Sequence, residues 1–476
     1  MRNFVSSKRC VAKSARAELV EAPFFFSIGT KKKAGLRQAQ PKRALGMFIA
    51  SLLAAVATPV AAQTVAITGG TVAIGDGSAP IERGTVVVAN GRVVAAGANV
   101  AVPAGAQVID ATGKWVTPGI VAGFTRMGIV EVDGVSQTSD VAANNSIWSA
   151  AIDITPAVNP RSTPIAINRI EGVTRAVVSP GTGATMFAGQ GAVIDLGADM
   201  DAVTKPRAFQ FVEFGETGAR EAGGSRPAAF LQFRSSLQAA QAYARNPAGY
   251  DGDSKDAILP RADAAALVPV VNGAMPLLVH VERGSDILAV LGLRREFPAL
   301  KLVLVGAVEG WTVAREIAAA GVPVIASALN DLPDSFETLA ATQSNIGRMK
   351  AAGVKVSIGM IGDNESRMAF QSTQYAGNLV ALGKVPGATG LDWAAAFATI
   401  TSAPAEAVGM GGEIGSLRAG RRGDVVLWNG DPLELSSAAE RVWIDGVEQP
   451  MESRQTKLRD RYRTASEGQL PKAYER

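Results

Sequence analysis

One stretch of the chain decides its fold: KWVTPGIVAGFTRMG, which occupies residues 114–128. An apolar run enters through Pro118-Gly119 and leaves through small residues, which is typical of a buried strand in a parallel sheet. The carboxyl ends of such strands are where α/β folds place their chemistry. Residues 124–128 are therefore the first place to look for a functional site.

Short runs of β-branched residues, separated by Gly and Asn turns, precede this stretch from Val65 to Trp115. Within them, Asn90-Gly91 lies between two apolar runs, which predicts a hairpin closed by a two-residue turn. A second set of short strands is predicted between residues 415 and 446. Both ends of the chain therefore carry small β-rich segments.

Between these segments, strand-like runs alternate with helix-like runs, a pattern typical of βα units in a parallel sheet. The predicted strands are 120–123, 174–178, 209–213, 277–281, 302–305, 323–326 and 354–358. The predicted helices are 230–244, 285–296, 311–320, 335–351, 371–382 and 391–400. The length of the region fits a (β/α)8 barrel, for which roughly 250 residues is usual. A doubly wound open sheet is the alternative.

The opening stretch resembles the first barrel strand of the amidohydrolase superfamily of metal-dependent hydrolases. Its matching framework residues are Gly113, Lys114, Val116, Pro118 and Gly119. Residues 306–310 and 415–432 resemble two further motifs of that superfamily. Within the superfamily, the chain is similar to the exported imidazolonepropionase-like amidohydrolases.

The resemblance implies an α/β fold, a (β/α)8 TIM-like barrel with a small β-sandwich formed by strands from both ends of the chain. It also implies hydrolysis of non-peptide carbon–nitrogen bonds in small cyclic or linear amides, with a divalent metal ion as cofactor. We predict a disordered extension and secretory signal at 1–62, sandwich segments at 63–115 and 405–450, the barrel at 116–404 and a basic tail at 451–476.

Most positions that would hold the metal in that superfamily carry other residues here. By resemblance, the two histidines after strand one correspond to Phe124 and Arg126, and the histidine after strand six corresponds to Gly306. His280, the single histidine of the chain, matches the ligand after strand five. Single ligands rarely hold a metal. His280 is therefore either a surviving metal ligand or general base, or a hydrogen-bonded core histidine.

Asp363 and Glu309 are the other candidates for catalysis. Asp363 lies shortly after the position of the superfamily's strand-eight aspartate, so it is either a displaced acid and metal ligand or a cap for the following helix. Together with His280 and Glu213, these two residues define an oxygen-rich set. Such a set suits magnesium, calcium or manganese better than zinc.

Two functions stay open at this point. One is a hydrolase of carbon–nitrogen bonds, with His280 as the remaining metal or base position and Asp363 as the displaced acid. The other is a catalytically silent barrel, because the lost histidines are the groups that would activate water. A silent barrel would bind a small ligand or pair with an intact amidohydrolase as a structural subunit. Expected partners are therefore a small-molecule substrate or ligand, and a second copy or an intact relative.

The net charge of +4 is unevenly distributed along the chain. Residues 1–62 hold eleven Lys or Arg and two acids, which leaves 36 basic and 41 acidic residues in the rest. We therefore expect no nucleic-acid partner, since the basic excess lies outside the body of the protein. The single cysteine, Cys10, falls in the same segment, so the mature chain is expected to form no disulfide.

Residues 42–63 have the pattern of a secretory signal. Lys42 and Arg43 precede an apolar run at 45–57, and small residues follow it up to Ala62. The run is shorter than the roughly 20 residues that span a bilayer, which disfavours an anchor helix. The pattern predicts cleavage after Ala62, export to the periplasm or the extracellular space, and no integral membrane segment after cleavage.

Cleavage after Ala62 predicts a secreted product that begins at Gln63, because the small residues before that position suit the cleavage site of a secretory signal. Amino-terminal sequencing of the exported protein checks this expectation. A product that retains Met1 would rule it out.

Overall fold

Two eight-stranded β-sheets organise the part of the chain that the structure describes. This computed structural model describes residues 64–183, 185–254, 257–362 and 365–463. The predicted secretory signal at 1–62 and the candidate residue Asp363 lie outside those ranges.

Sixteen strands and eleven α-helices follow one another within the described ranges. The strands are β1 (Val65–Val72), β2 (Ile81–Ala89), β3 (Arg92–Gly97), β4 (Gln107–Asp110), β5 (Trp115–Pro118), β6 (Ile120–Thr125), β7 (Val173–Val178), β8 (Phe187–Asp195), β9 (Val203–Glu213), β10 (Leu277–Val281), β11 (Leu302–Gly306), β12 (Val324–Ala326), β13 (Val356–Ile358), β14 (Val425–Trp428), β15 (Ala439–Ile444) and β16 (Val447–Glu448). The helices are α1 (Thr163–Arg169), α2 (Glu216–Glu221), α3 (Arg226–Arg245), α4 (Arg261–Val271), α5 (Gly284–Gly292), α6 (Ala314–Ala320), α7 (Asn345–Ala351), α8 (Ser372–Leu382), α9 (Trp393–Ala398), α10 (Ser402–Ala407) and α11 (Arg454–Tyr462). None of these helices has the length and apolarity that a bilayer crossing requires.

The first sheet combines strands from both ends of the chain. Its order is β16-β15-β14-β5-β1-β2-β3, with β4 paired to β1. Because β14 lies antiparallel to β5, the two β-rich segments meet in one sheet directly before the barrel begins. The predicted hairpin at Asn90-Gly91 joins β2 to β3, and the two turn residues have φ angles of 51° and 73°. Positive φ at both positions is what a type I′ turn requires.

The second sheet, which runs from β6 to β13 in chain order, curls into a nearly closed barrel. Its first and last strands approach each other at the carboxyl end, where the backbone N–H of Met360 donates to the carbonyl of Phe124 at 3.1 Å. Apolar side chains fill the interior of the barrel, and they include Val121, Phe124, Val177, Phe209, Phe211, Leu278, Val303, Val305 and Ile325. The structure is thus a mixed α/β fold built around a TIM-like barrel sheet.

The barrel departs from a strict repeat of eight βα units at its third strand. β8 lies antiparallel to both β7 and β9, and the connections on either side of it, 179–186 and 196–202, are too short for a crossover helix. The sequence pattern did not predict β8, because Gly189 and Gly191 weaken its strand signal. Gly191 is required by packing, since a Cβ there would lie 2.1 Å from the ring of Phe209.

The predicted helix at 335–351 is wrong over its first half, since α7 begins only at Asn345. Thr338 explains the difference. Its hydroxyl accepts from the backbone N–H groups of Asp334 and Ser335 and donates to the Asp334 carboxylate at 2.8 Å. Local hydrogen bonds of this kind compete with helix formation, so 335–344 forms a loop above the barrel.

A buried arginine joins the barrel to the first sheet. Arg175 of β7 is inaccessible to solvent, and its Nε and Nη2 atoms both donate to the carboxylate of Asp424, each at 2.8 Å. Nη2 also lies 2.8 Å from Asp445, and Nη1 lies 2.7 Å from the hydroxyl of Thr204. Burial opposes the charge, yet the neighbouring carboxylates outweigh it and raise the pKa of Arg175. Burial also raises the pKa of the nearby Asp195 to about 6.

Removing this arginine should destabilise the protein strongly, because it leaves buried carboxylates without a counter-charge. We expect Arg175→Met to lower the free energy of unfolding by about 3–5 kcal/mol, measured by chemical denaturation. The matched control is Lys114→Met, which removes the exposed ion pair with Glu440 and should change little. Equal losses in the two variants would contradict the role assigned to Arg175.

Candidate functional site

The candidate site lies at the carboxyl end of the barrel, where the neighbouring strands β9 and β10 finish and β6 faces them across the interior. Strand alternation directs Phe211 and Glu213 of β9, and Leu278 and His280 of β10, toward the barrel axis. His280 and Glu213 are direct partners in the pairing of the two parallel strands. The register therefore places the single histidine beside a carboxylate.

His280 is held between two carboxylates. Its Nδ1 lies 2.5 Å from Oε2 of Glu213, and its Nε2 lies 2.8 Å from Oε1 of Glu282. Burial disfavours a charged ring, but the two carboxylates outweigh burial and raise the pKa of His280 well above its usual value. The residue is therefore an imidazolium that donates a hydrogen bond from each ring nitrogen.

Glu213 is ionised for the complementary reason. Its burial favours the protonated acid, but the charge and the hydrogen bond of His280, with a smaller contribution from Arg126, lower the pKa of Glu213. Each member of the pair thus stabilises the charged form of the other.

Glu282 is the third member of the cluster, and the sequence pattern did not predict it. It follows β10 two positions after His280, so it returns to the same side of the strand. Its Oε2 atom accepts from the backbone N–H of Val308 at 2.8 Å, just beyond the end of β11. That two-residue spacing was the signal in the sequence. The spacing alone does not show that Glu282 contacts His280. That contact also needs the space beside Gly306, which only the folded structure reveals.

An aromatic ring and a fixed positive charge occupy the two positions that resemble the superfamily's strand-one histidines. Phe124 is 2% exposed, and its ring centroid lies 5.4 Å from that of Phe211 inside the barrel. The guanidinium of Arg126 lies 5.0 Å above the Phe124 ring. Its Nε donates to Glu365 at 3.0 Å, and its Nη1 donates to the carbonyls of residues 179 and 180. Neither position offers a metal ligand.

Glu309 lies outside the histidine cluster. Its Oε2 atom accepts from the backbone N–H of Gly284 at 3.0 Å, and its Oε1 atom accepts from that of Ala340 at 3.1 Å. The carboxylate therefore fixes two loops beside the barrel mouth. Of the candidates named from sequence, the structure brings His280 and Glu213 together, while Asp363 lies outside the described residues.

A cleft of about 750 Å³ opens above His280 and Glu282. Apolar side chains form part of its wall, namely Leu329, Leu332 and Ile361. Neutral polar side chains and five acidic ones also line it, and the acidic ones are Glu282, Asp331, Asp334, Glu337 and Glu365. Burial raises the pKa of Glu337, whose carboxylate accepts from Arg226 at 3.1 Å.

The residues around the cleft do not fit the divalent metal that the resemblance implies. Both ring nitrogens of His280 are engaged by carboxylates, and the other three histidine positions are Phe124, Arg126 and Gly306. Within the described ranges, no group of three or more His, Cys, Asp or Glu side chains is arranged to hold a metal ion. The arrangement can instead bind hydrogen-bond donors and positive charge through its carboxylates.

Comparisons by sequence point to one group of proteins. A model of the amidohydrolase family matches residues 312–448. Amidohydrolase tasK of Hapsidospora irregularis is 26% identical over 384 residues, which cover 73% of this chain and 38% of that relative. The chain thus spans well under half the length of that relative.

Comparisons by structure agree on the fold. An amidohydrolase from Thermotoga maritima MSB8 is similar with a TM-score of 0.69 and 24% identity, covering 81% of this chain and 99% of its own. Molinate hydrolase is similar with a TM-score of 0.50 and 18% identity, covering 82% of this chain and 95% of its own. Likenesses at this level of identity show a shared fold.

His280 provides a direct test of the cluster, because it is the only histidine and gives a single imidazole signal. We expect its ring to stay doubly protonated well above pH 6.5, the ordinary pKa of histidine. NMR titration of tag-free protein labelled with 15N-histidine measures this. Glu282→Gln should lower the pKa of His280, whereas the control Glu309→Gln should leave it in place. A wild-type midpoint at or below 6.5 would contradict the cluster.

The two shifts fix the pH dependence of stability from opposite sides. Because the pKa of Glu213 is lower in the folded protein, its contribution is present above about pH 4.5 and is lost as the pH falls through the lowered pKa. Because the pKa of His280 is higher in the folded protein than in the unfolded chain, the contribution of His280 is fully present below about pH 6.5. That contribution is lost as the pH rises through the raised pKa.

Proposed function

Because this chain belongs to the amidohydrolase superfamily, we propose that it binds a small molecule at the mouth of its barrel without a metal ion and without turning it over. The observation that carries this proposal is the imidazolium of His280 between Glu213 and Glu282. A barrel of a hydrolase superfamily would then serve as a ligand-binding protein.

The lack of turnover follows from the state of His280. Hydrolysis of an amide needs an activated water, made either by a metal ion or by a general base. An imidazolium that donates from both nitrogens has no lone pair with which to accept a proton. The groups that bind metal in the superfamily are replaced at three of the four histidine positions.

The charges of the cleft favour a cationic ligand. Arg126 balances Glu365, and Arg226 lies against Glu337. The cluster of His280 with its two glutamates is left with one negative charge, to which Asp331 and Asp334 add two more. A concave site lined by one sign of charge concentrates the opposite charge. We therefore propose a small organic ammonium ligand, whose apolar part contacts Leu329, Leu332 and Ile361.

Hydrolysis of carbon–nitrogen bonds in small cyclic or linear amides is the second candidate, and the family comparisons favour it. In that case Glu282, which lines the cleft, is the carboxylate placed to accept a proton from water. The two candidates differ in turnover, while both place the ligand in the same cleft.

Pairing with another amidohydrolase barrel belongs to the same proposal. Large apolar side chains are exposed on the loops that follow β12 and β6, including Leu332 (77%), Phe336 (84%) and Ile147 (75%). Exposed apolar surface of this kind often marks a protein interface. More than half of Amidohydrolase tasK lies outside the match, so its similar region is joined to further residues of the same polypeptide. Export of the chain is likewise proposed, on the sequence pattern before Gln63.

Binding and turnover can be separated on the purified, tag-free protein. The probes are a neutral aromatic amide, the amine of the same skeleton and the matching carboxylic acid. Titration calorimetry should show the amine binding at least about tenfold more tightly than the acid. Glu282→Gln should weaken binding of the amine, whereas Lys114→Met, far from the cleft, should leave that binding unchanged. Metal analysis should find less than one divalent ion per chain, and the amide should not be cleaved.

If the wild type cleaves the amide and His280→Ala does not, the proposal of a non-catalytic ligand-binding protein is overturned and the hydrolase is supported. Equal affinity for amine and acid would overturn the cationic ligand. Elution at the monomer position, with or without an added intact amidohydrolase, would remove the pairing proposal alone.

A further inference from the structure

We infer that Glu282 is the residue that keeps metal out of this barrel, because its carboxylate stands where a side chain on strand β11 would have to be. Glu282 and Gly306 act as a pair whether the site only binds a ligand or also turns it over. Melting temperature and metal affinity therefore measure the effect of Glu282 without depending on turnover.

Gly306 ends β11 at the position that resembles the superfamily's strand-six ligand. A Cβ built on Gly306 would lie 2.3 Å from Oε1 and 2.7 Å from Oε2 of Glu282. Real Cβ atoms do not approach other heavy atoms this closely. A ligating side chain at 306 and the observed position of Glu282 therefore exclude each other.

Glu282 is not free to move aside. Oε1 is held by the imidazolium of His280, and Oε2 is held by the backbone N–H of Val308, each at 2.8 Å. A charge-assisted hydrogen bond of this kind is about twice as strong as a neutral one. Its side chain is 11% exposed, so water does not readily replace these partners.

Glu282 also blocks the ligand that remains. Nε2 of His280 points at Oε1 of Glu282 and carries the proton of that hydrogen bond. One carboxylate thus occupies the space above Gly306 and covers a nitrogen of the only histidine. The three heavy atoms nearest to a Cβ at position 306 all belong to Glu282. Glu213, the other carboxylate of the cluster, lies on the opposite ring nitrogen.

A double-mutant cycle tests the contact. Gly306→Ala should lower the melting temperature of the wild type by at least about 2 °C more than it lowers that of Glu282→Ala. Gly306 has a φ of +86°, and the strain of a Cβ at that φ is the same in both backgrounds, so it cancels from the comparison. Glu309→Ala is the matched control, because the Glu309 carboxylate also binds backbone N–H groups. The losses of melting temperature caused by Glu309→Ala and Gly306→Ala should be additive. Equal losses with and without Glu282 would overturn the inference.

Metal binding tests the consequence. Phe124→His and Arg126→His restore the two strand-one histidines, and this double variant is compared with the triple variant that adds Glu282→Ala. Titration with Co²⁺, followed by its visible absorption and by equilibrium dialysis, should show at least about tenfold tighter binding in the triple variant. The triple variant with Glu309→Ala in place of Glu282→Ala should resemble the double variant. Equal affinities with and without Glu282, including no binding in either, would overturn the inference.

Discussion

Two carboxylates at the ends of neighbouring strands repel each other, and in this barrel mouth a single imidazolium lies between them. Without His280, Glu213 and Glu282 would leave uncompensated charge in a largely desolvated place, which costs several kcal/mol in proteins. With it, each hydrogen bond has an ionised donor and acceptor. The position of Glu282 then requires a glycine at 306, and the backbone N–H of Val308 completes its coordination. The geometry of the mouth therefore follows from one charge balance.

The other superfamily positions have changed in a different way. Phe124 joins the apolar interior of the barrel, where it packs on Phe211, so its volume is used for packing. Arg126 brings a permanent charge, but Glu365 and two backbone carbonyls take up its donors. One position has become core, one a tethered cation and one a space for Glu282. None of the three offers a metal ligand, and the carboxylate of Glu282 faces the cleft instead.

The sequence predicted those parts of the molecule that local pattern determines. The strand after Pro118-Gly119, the hairpin at Asn90-Gly91 and the placement of His280 at a strand end all depend on neighbouring residues. The sequence did not predict β8, because Gly189 and Gly191 lower the strand propensity of a segment that packing across the sheet nevertheless holds as a strand. The loop at 335–344 was missed because the hydroxyl of Thr338 competes with a helical pattern. The role of Glu282 depends on Val308 and Gly306, which are near it only in the folded barrel.

The charge networks of Arg175 and His280, both within the described ranges, differ in the surroundings of their cations. Arg175, near the start of β7, is closed off from solvent and binds carboxylates from the first sheet. His280, at the end of β10, also lies between carboxylates, but 25% of its side chain is exposed and faces the cleft. Both networks satisfy the same condition, that charges in an apolar barrel must be paired. Protein closes off the cation of the first network, whereas the imidazolium of the second faces the cleft, where a ligand can reach it.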